Sequence, residues 1–123
     1  MSKNFYIKIQ NLTEDVFSLY QNQNFCASWN SSSSINPGET TETQLEFLEA
    51  PEGENNYAKL RFSTPDYRCF EIKAYSEGGD HLEIFVSESL TAHPSSDIPI
   101  VDKETLTVSF EEAEKKINKK QCV

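Results

Sequence analysis

The chain has 123 residues, 37% of them hydrophobic, with eight Phe and five Tyr; this suffices for one core and is too aromatic for a disordered chain. Twenty acids against eleven Lys and Arg give a formal charge of −9, which argues against a nucleic-acid partner and against broad attraction to anionic lipid. No apolar run approaches the ~20 residues of a transmembrane span. The opening Met1-Ser2-Lys3-Asn4 lacks a signal-peptide core, because residues 5–10 are interrupted by Lys8, so a cytoplasmic place, or release without a signal peptide, is expected.

Along the chain, apolar and polar residues alternate with period two between turn signals, the pattern of half-buried strands. Phe5, Ile7 and Ile9 come first, then Phe17 and Leu19, then Phe25, Ala27 and Trp29. Thr41, Thr43, Leu45 and Phe47 follow, and after them Ala58, Leu60 and Phe62. Phe70, Ile72 and Ala74, then Leu82, Ile84 and Val86, then Leu106, Val108 and Phe110 complete the series. The separators are loop chemistry: residues 11–15, 30–34, Asn36-Pro37-Gly38, 51–56, Thr64-Pro65-Asp66, Glu77-Gly78-Gly79-Asp80 and 93–99. About eight short strands at this spacing predict an all-β, antiparallel β-sandwich.

The tail reads differently. Ser109-Phe110-Glu111-Glu112 has the form of a capping box, and acids precede Lys115, Lys116, Lys119 and Lys120, the order that suits a helix dipole. Residues 1–110 are therefore expected to form the sandwich, and residues 111–123 a polar C-terminal tail or short helix.

Chemistry is not signalled. His81 and His93 stand outside any nucleophile or ligand motif, and Gly78-Gly79 marks a turn rather than a phosphate loop. Carboxylate pairs such as Glu52/Glu54 suit calcium by type, but no loop has EF-hand spacing. Cys26, Cys69 and Cys122 have an odd count and no CxxC spacing, so neither a zinc site nor a disulfide framework is expected. Cys26 and Cys69 share the non-core parity of their strands and could be neighbours on one sheet. The expectation is a binding protein that is not an enzyme, without metal or cofactor.

Aromatic residues remain. Trp29 ends its strand just before the polar loop 30–34; it either meets a ligand there or continues the core stripe of Phe25 and Ala27. Tyr67 lies in a loop, and Tyr6, Tyr20, Tyr57, Tyr75 and Phe85 fall on outward parities. Amphipathic rings suit a membrane interface, and ring faces also stack on sugars; on strands, the same tyrosines can simply pair with one another.

The order Ile7-Lys8-Ile9-Gln10-Asn11, Cys26-Ala27-Ser28-Trp29, Ile35-Asn36-Pro37-Gly38-Glu39 and Ala50-Pro51-Glu52-Gly53 resembles the aegerolysins, a family of small acidic β-sandwich proteins. The resemblance covers roughly the first half of the chain. Where that family has a Trp- and Gly-rich segment around a cysteine, this chain has Pro65-Asp66-Tyr67-Arg68-Cys69-Phe70. The resemblance implies binding to sphingolipid headgroups or sterol-containing membrane surfaces, in some members alongside a pore-forming toxin partner. It implies Trp29 and Glu52 as contacts, the carboxylate meeting a headgroup ammonium. The expected ligand-binding set is thus Trp29, Glu52, Tyr67 and Tyr6, on a lipid-binding protein; a lectin-like carbohydrate module or a protein–protein interaction domain uses the same features.

Overall fold

A computed structural model describes residues 2–113. They form two facing β-sheets and no helix. The first sheet holds β1 (Lys3–Asn11), β3 (Ala27–Asn30), β5 (Thr40–Phe47), β9 (Leu90–His93) and β11 (Thr105–Glu112), in the order β3-β5-β1-β11-β9. The second holds β2 (Phe17–Phe25), β4 (Ser34–Ile35), β6 (Tyr57–Ser63), β7 (Cys69–Tyr75), β8 (His81–Val86) and β10 (Ile98–Pro99), in the order β10-β8-β7-β6-β2-β4. Neighbours are antiparallel except β1 and β11, which run parallel, Ile7 opposite Leu106 and Ile9 opposite Val108.

The alternation seen in the sequence is what fills the space between the sheets. Phe5, Ile7 and Ile9 face Leu60, Phe62, Phe70 and Ile72 across a core completed by Phe17, Leu45, Phe47, Leu82, Val108 and Phe110. Each such side chain contributes roughly 1.5–3 kcal/mol on leaving water. Phe110 stacks on Phe70 at 4.3 Å between ring centroids and meets Phe17 edge-on at 4.7 Å, so one ring of β11 ties together two strands of the opposite sheet.

Two expectations are corrected. Phe25, Ala27 and Trp29 are not one stripe: Cys26 adopts φ 50°, ends β2 and sends β3 into the other sheet, which leaves Phe25 on the outside at 45% exposure. Ser109-Phe110-Glu111-Glu112 is strand rather than a helix start. Its backbone is claimed on one side by β1 and on the other by β9, with Phe110 opposite Ala92 and Glu112 opposite Leu90; two ladders satisfy more polar groups than one capping box. The rest of the expected tail helix, from residue 114 on, lies outside the described residues. Cys26 and Cys69 are free and are not neighbours in any pairing: Cys69 is buried opposite Ser63 on β6, and Cys26 sits at the β2–β3 junction.

Candidate functional site

The four expected contact residues go to four places. Trp29 is 2% exposed; its indole N–H donates to Thr43 Oγ1 at 2.9 Å, and that hydroxyl donates to the Ile7 carbonyl at 2.8 Å. The ring therefore continues the core, and its burial with a satisfied N–H corrects the reading of a loop-end indole. Tyr6 projects from β1 on the outside of the five-stranded sheet, between Gln44 and Thr105. Glu52 is exposed on a turn closed by Glu54 N–H to the Pro51 carbonyl, with Gly53 at φ 83°. That loop is anchored by Asn56, whose amide donates to the Cys26 and Leu48 carbonyls, at the end of the sandwich where β6 begins. Tyr67 is at the other end, where β6 stops.

At that other end, polar groups build a rigid platform for apolar ones. Asn11 is fully buried and fully satisfied: its amide donates to the Asp15 and Ile35 carbonyls, and its oxygen accepts from the Thr13 N–H and hydroxyl. The loop so fixed leaves Leu12 and Val16 exposed. Alongside, the β6–β7 turn is closed by Tyr67 N–H to the Thr64 carbonyl (3.0 Å) and Thr64 N–H to the Arg68 carbonyl (2.9 Å), with the Thr64 hydroxyl bonded to Asp66. Arg68 clamps the turn to its surroundings, donating to Asp15 Oδ2 at 2.7 Å and Glu112 Oε2 at 2.5 Å. Tyr67 thereby stands at φ 67°, a backbone region rare for a tyrosine, with 90% of its surface in water. Tyr20, 72% exposed at an irregularity in the β2–β6 pairing, faces it across a cleft of about 250 Å3 lined also by Arg61, Ser63, Thr64, Pro65 and Cys69.

The cleft opens onto the outer face of the six-stranded sheet, and the strand register arranges that face in rows. Phe25, Tyr57, Tyr75 and His81 lie side by side across β2, β6, β7 and β8. Tyr57 and Tyr75 are 5.4 Å apart between centroids, and Tyr75 stacks on His81 at 5.3 Å. Burial, and after it the charge of Glu83, raises the Tyr75 pKa above its ordinary value. The next row is Gln23, Lys59, Lys73 and Glu83, and the next Gln21, Arg61, Glu71 and Phe85. Glu71 is 5% exposed and is ringed by Arg61 at 3.1 Å, Lys73 at 3.7 Å and Lys59 at 3.9 Å. One carboxylate thus holds three cations in place, a buried charge tolerable only because it is paired.

No known family model and no curated protein sequence matches the chain. Among solved structures it is similar to the lipid-binding protein Nakanori, with TM-score 0.61 at 8% identity over 93% of this chain and 72% of that one. It is also similar to the lectin XCL of Xerocomus chrysenteron, with TM-score 0.52 at 6% identity over 92% of this chain and 99% of that one. The likeness is one of fold. The β-sandwich that the aegerolysin resemblance implies is the architecture observed.

The loop that presents Leu12 carries its signal in the sequence. Asn11-Leu12-Thr13 has the form of a side-chain-capped turn, and an ordered loop there presents Leu12. The cluster around Glu71 had none, because it exists only once β6 and β7 are paired.

Proposed function

We propose that the protein is a non-enzymatic binding protein that recognises lipid headgroups at a membrane surface through its loop end. The observation that carries this reading is Tyr67, almost fully in water on a turn clamped by Arg68 to Asp15 and Glu112. A mobile loop would need no such clamp, and backbone held in an uncommon region points toward use. Leu12, Val16 and Tyr20 lie at the same end, so aliphatic and aromatic surface is presented together, the composition that partitions into the headgroup layer. The fold shared with a lipid-binding protein agrees with the reading. Trp29 enters it as a core residue, and Glu52, at the far end of the sandwich, belongs to no contact made by Tyr67.

The test is co-sedimentation with phosphatidylcholine vesicles, with and without sphingolipid and sterol. The parent protein is expected to bind at least one vesicle type. Tyr67→Ala is expected to weaken that binding about tenfold, or ~1.4 kcal/mol, without lowering the melting temperature. Absence of binding to every composition, or a Tyr67→Ala protein that binds like the parent, would sink the reading. A carbohydrate ligand is the second reading; the shared lectin fold and the aromatic row on the sheet favour it, at a different place on the molecule.

A further inference from the structure

We propose that the outer face of the six-stranded sheet is a separate binding site for an acidic oligosaccharide, a sugar chain bearing carboxylate or sulfate groups. The protein is acidic overall, with a formal charge of −9, yet this face gathers Lys59, Arg61 and Lys73 within 4 Å of the single carboxylate of Glu71. Elsewhere Arg68 is neutralised by Asp15 and Glu112, and Lys3 by Asp80. Three positive charges stand around Glu71, with Glu83 opposite Lys73 on β8, which leaves a local surplus of one base, and Glu71 fixes its position. The fold therefore has already ordered the three side chains that an incoming anion would otherwise have to order.

The ring row supplies the other half of the recognition. Phe25, Tyr57 and Tyr75 run side by side across β2, β6 and β7, two residues along the strands from Gln23, Lys59 and Lys73. That offset is about 6.7 Å at the usual strand rise, so a sugar lying along the row, against the exposed Phe25 and the outward parts of Tyr57 and Tyr75, reaches the ammonium groups with a substituent on its far side. Neighbouring strands are about 4.8 Å apart and the Tyr57 and Tyr75 centroids 5.4 Å, which sets out a track for a chain of sugars rather than a pocket for one. Gln21 and Gln23 on β2 add amides that read hydroxyls. Glu83, opposite Lys73, and Glu77, beside Tyr75 and His81, close the β8 side to anions; the acidic groups of the ligand are seated between β2 and β7. The rings lie along the sheet rather than at a loop tip, which suits stacking and not insertion into a bilayer.

The test is titration of the 15N-labelled protein with three probes: a sulfated hexasaccharide, a uronic-acid hexasaccharide and a neutral glucose hexamer. The expected result is saturable binding of at least one acidic probe. It should shift the amide resonances of residues 57–61 and 71–75, weaken with added salt, and lose about tenfold in affinity in Lys73→Gln. Phe25→Ser, at an exposed edge position, is expected to lose severalfold while melting like the parent. The two acidic arms tell carboxylate from sulfate. Equal binding of the neutral hexamer, no saturable shift with either acidic probe, or shifts confined to residues 12–16 and 64–68 would each overturn the proposal. So would shifts in residues 57–75 that follow protein concentration alone, since those would mark a contact between copies of the chain. Vesicle binding is read independently, so either proposal can fail without the other.

Discussion

On the outside of the five-stranded sheet, Tyr6 stands among Asn4, Lys8, Gln10, Glu42, Gln44, Glu46, Thr105, Thr107, Ser109 and Glu111. On the outside of the six-stranded sheet, Phe25, Tyr57, Tyr75 and Phe85 stand among Gln21, Gln23, Lys59, Arg61, Glu71, Lys73 and Glu83. Both sets come from the same period-two alternation, and both face away from the same core. The first is hydroxyl-rich and carries two more acids than bases; the second is aromatic and carries one more base than acids. Alternation decides which residues point outward, and only pairing between strands decides what they add up to. A face suited to water and a face suited to a ligand are therefore indistinguishable strand by strand.

The comparison can be sharpened first against the interior that both faces cover. Trp29→Ala is expected to cost about 3–5 kcal/mol, as for other large core truncations, because it empties the core and leaves the Thr43 hydroxyl without its donor. Urea unfolding checks this, and a loss below ~1 kcal/mol would contradict the buried placement. The wild-type tryptophan should also emit in the blue range in buffer alone.

Next comes the contrast between the two outsides. Glu71→Gln removes the charge shared by Arg61, Lys59 and Lys73. The carboxylate is buried but its partners are partly hydrated, so the loss is expected near ~2 kcal/mol, below the 3–5 kcal/mol of a fully buried pair. Glu42→Gln, on the other sheet's outside, should stay within about 0.5 kcal/mol. Equal effects in the two unfolding curves would erase the distinction drawn between the faces.

The smallest effect is one of pH. Tyr75 has its pKa raised, by burial first and then by Glu83, and Lys3 has its pKa raised by the hydrogen bond to Asp80 and then by its charge. In both cases the folded protein keeps a proton that the unfolded chain releases above about pH 10, so stability is retained below that pH and falls as pH rises through the raised values. The urea midpoint is expected to drop between pH 9 and pH 11, and to drop less in Tyr75→Phe. An identical drop in the variant would remove Tyr75 from the account.

Much of the fold was legible because long strands state their parity several times over. β1, β5, β6 and β7 each present three or four inward residues in register with the core. β4 and β10 have two residues each and β9 has four, too few alternations to announce themselves. The break at Cys26 was silent for another reason: a positive φ is announced by glycine or asparagine, and a cysteine gives no such sign. The candidate surfaces were legible in part. Tyr67 was found because it lies in a turn between two strong strands, which exposes it whatever the pairing. Parity placed Trp29 on the core side, where it is found, and its position at a strand end before a polar loop pointed the other way. The Glu71 cluster depends on which strand lies beside which, and no single strand carries that information.

The parallel pairing of β1 with β11 has a consequence for how the molecule is made. β1 can find β5 as soon as the first 47 residues have been synthesised, but its second edge stays open until residues 105–112 leave the ribosome. Val108 and Phe110, which close the core against Phe17 and Phe70, arrive with them. Until β11 is made, β1 keeps an open strand edge and the interior stays unsealed, and contacts between strands this distant in the chain place the fold among slow-folding topologies. The core is sealed only when β11 takes its place between β1 and β9.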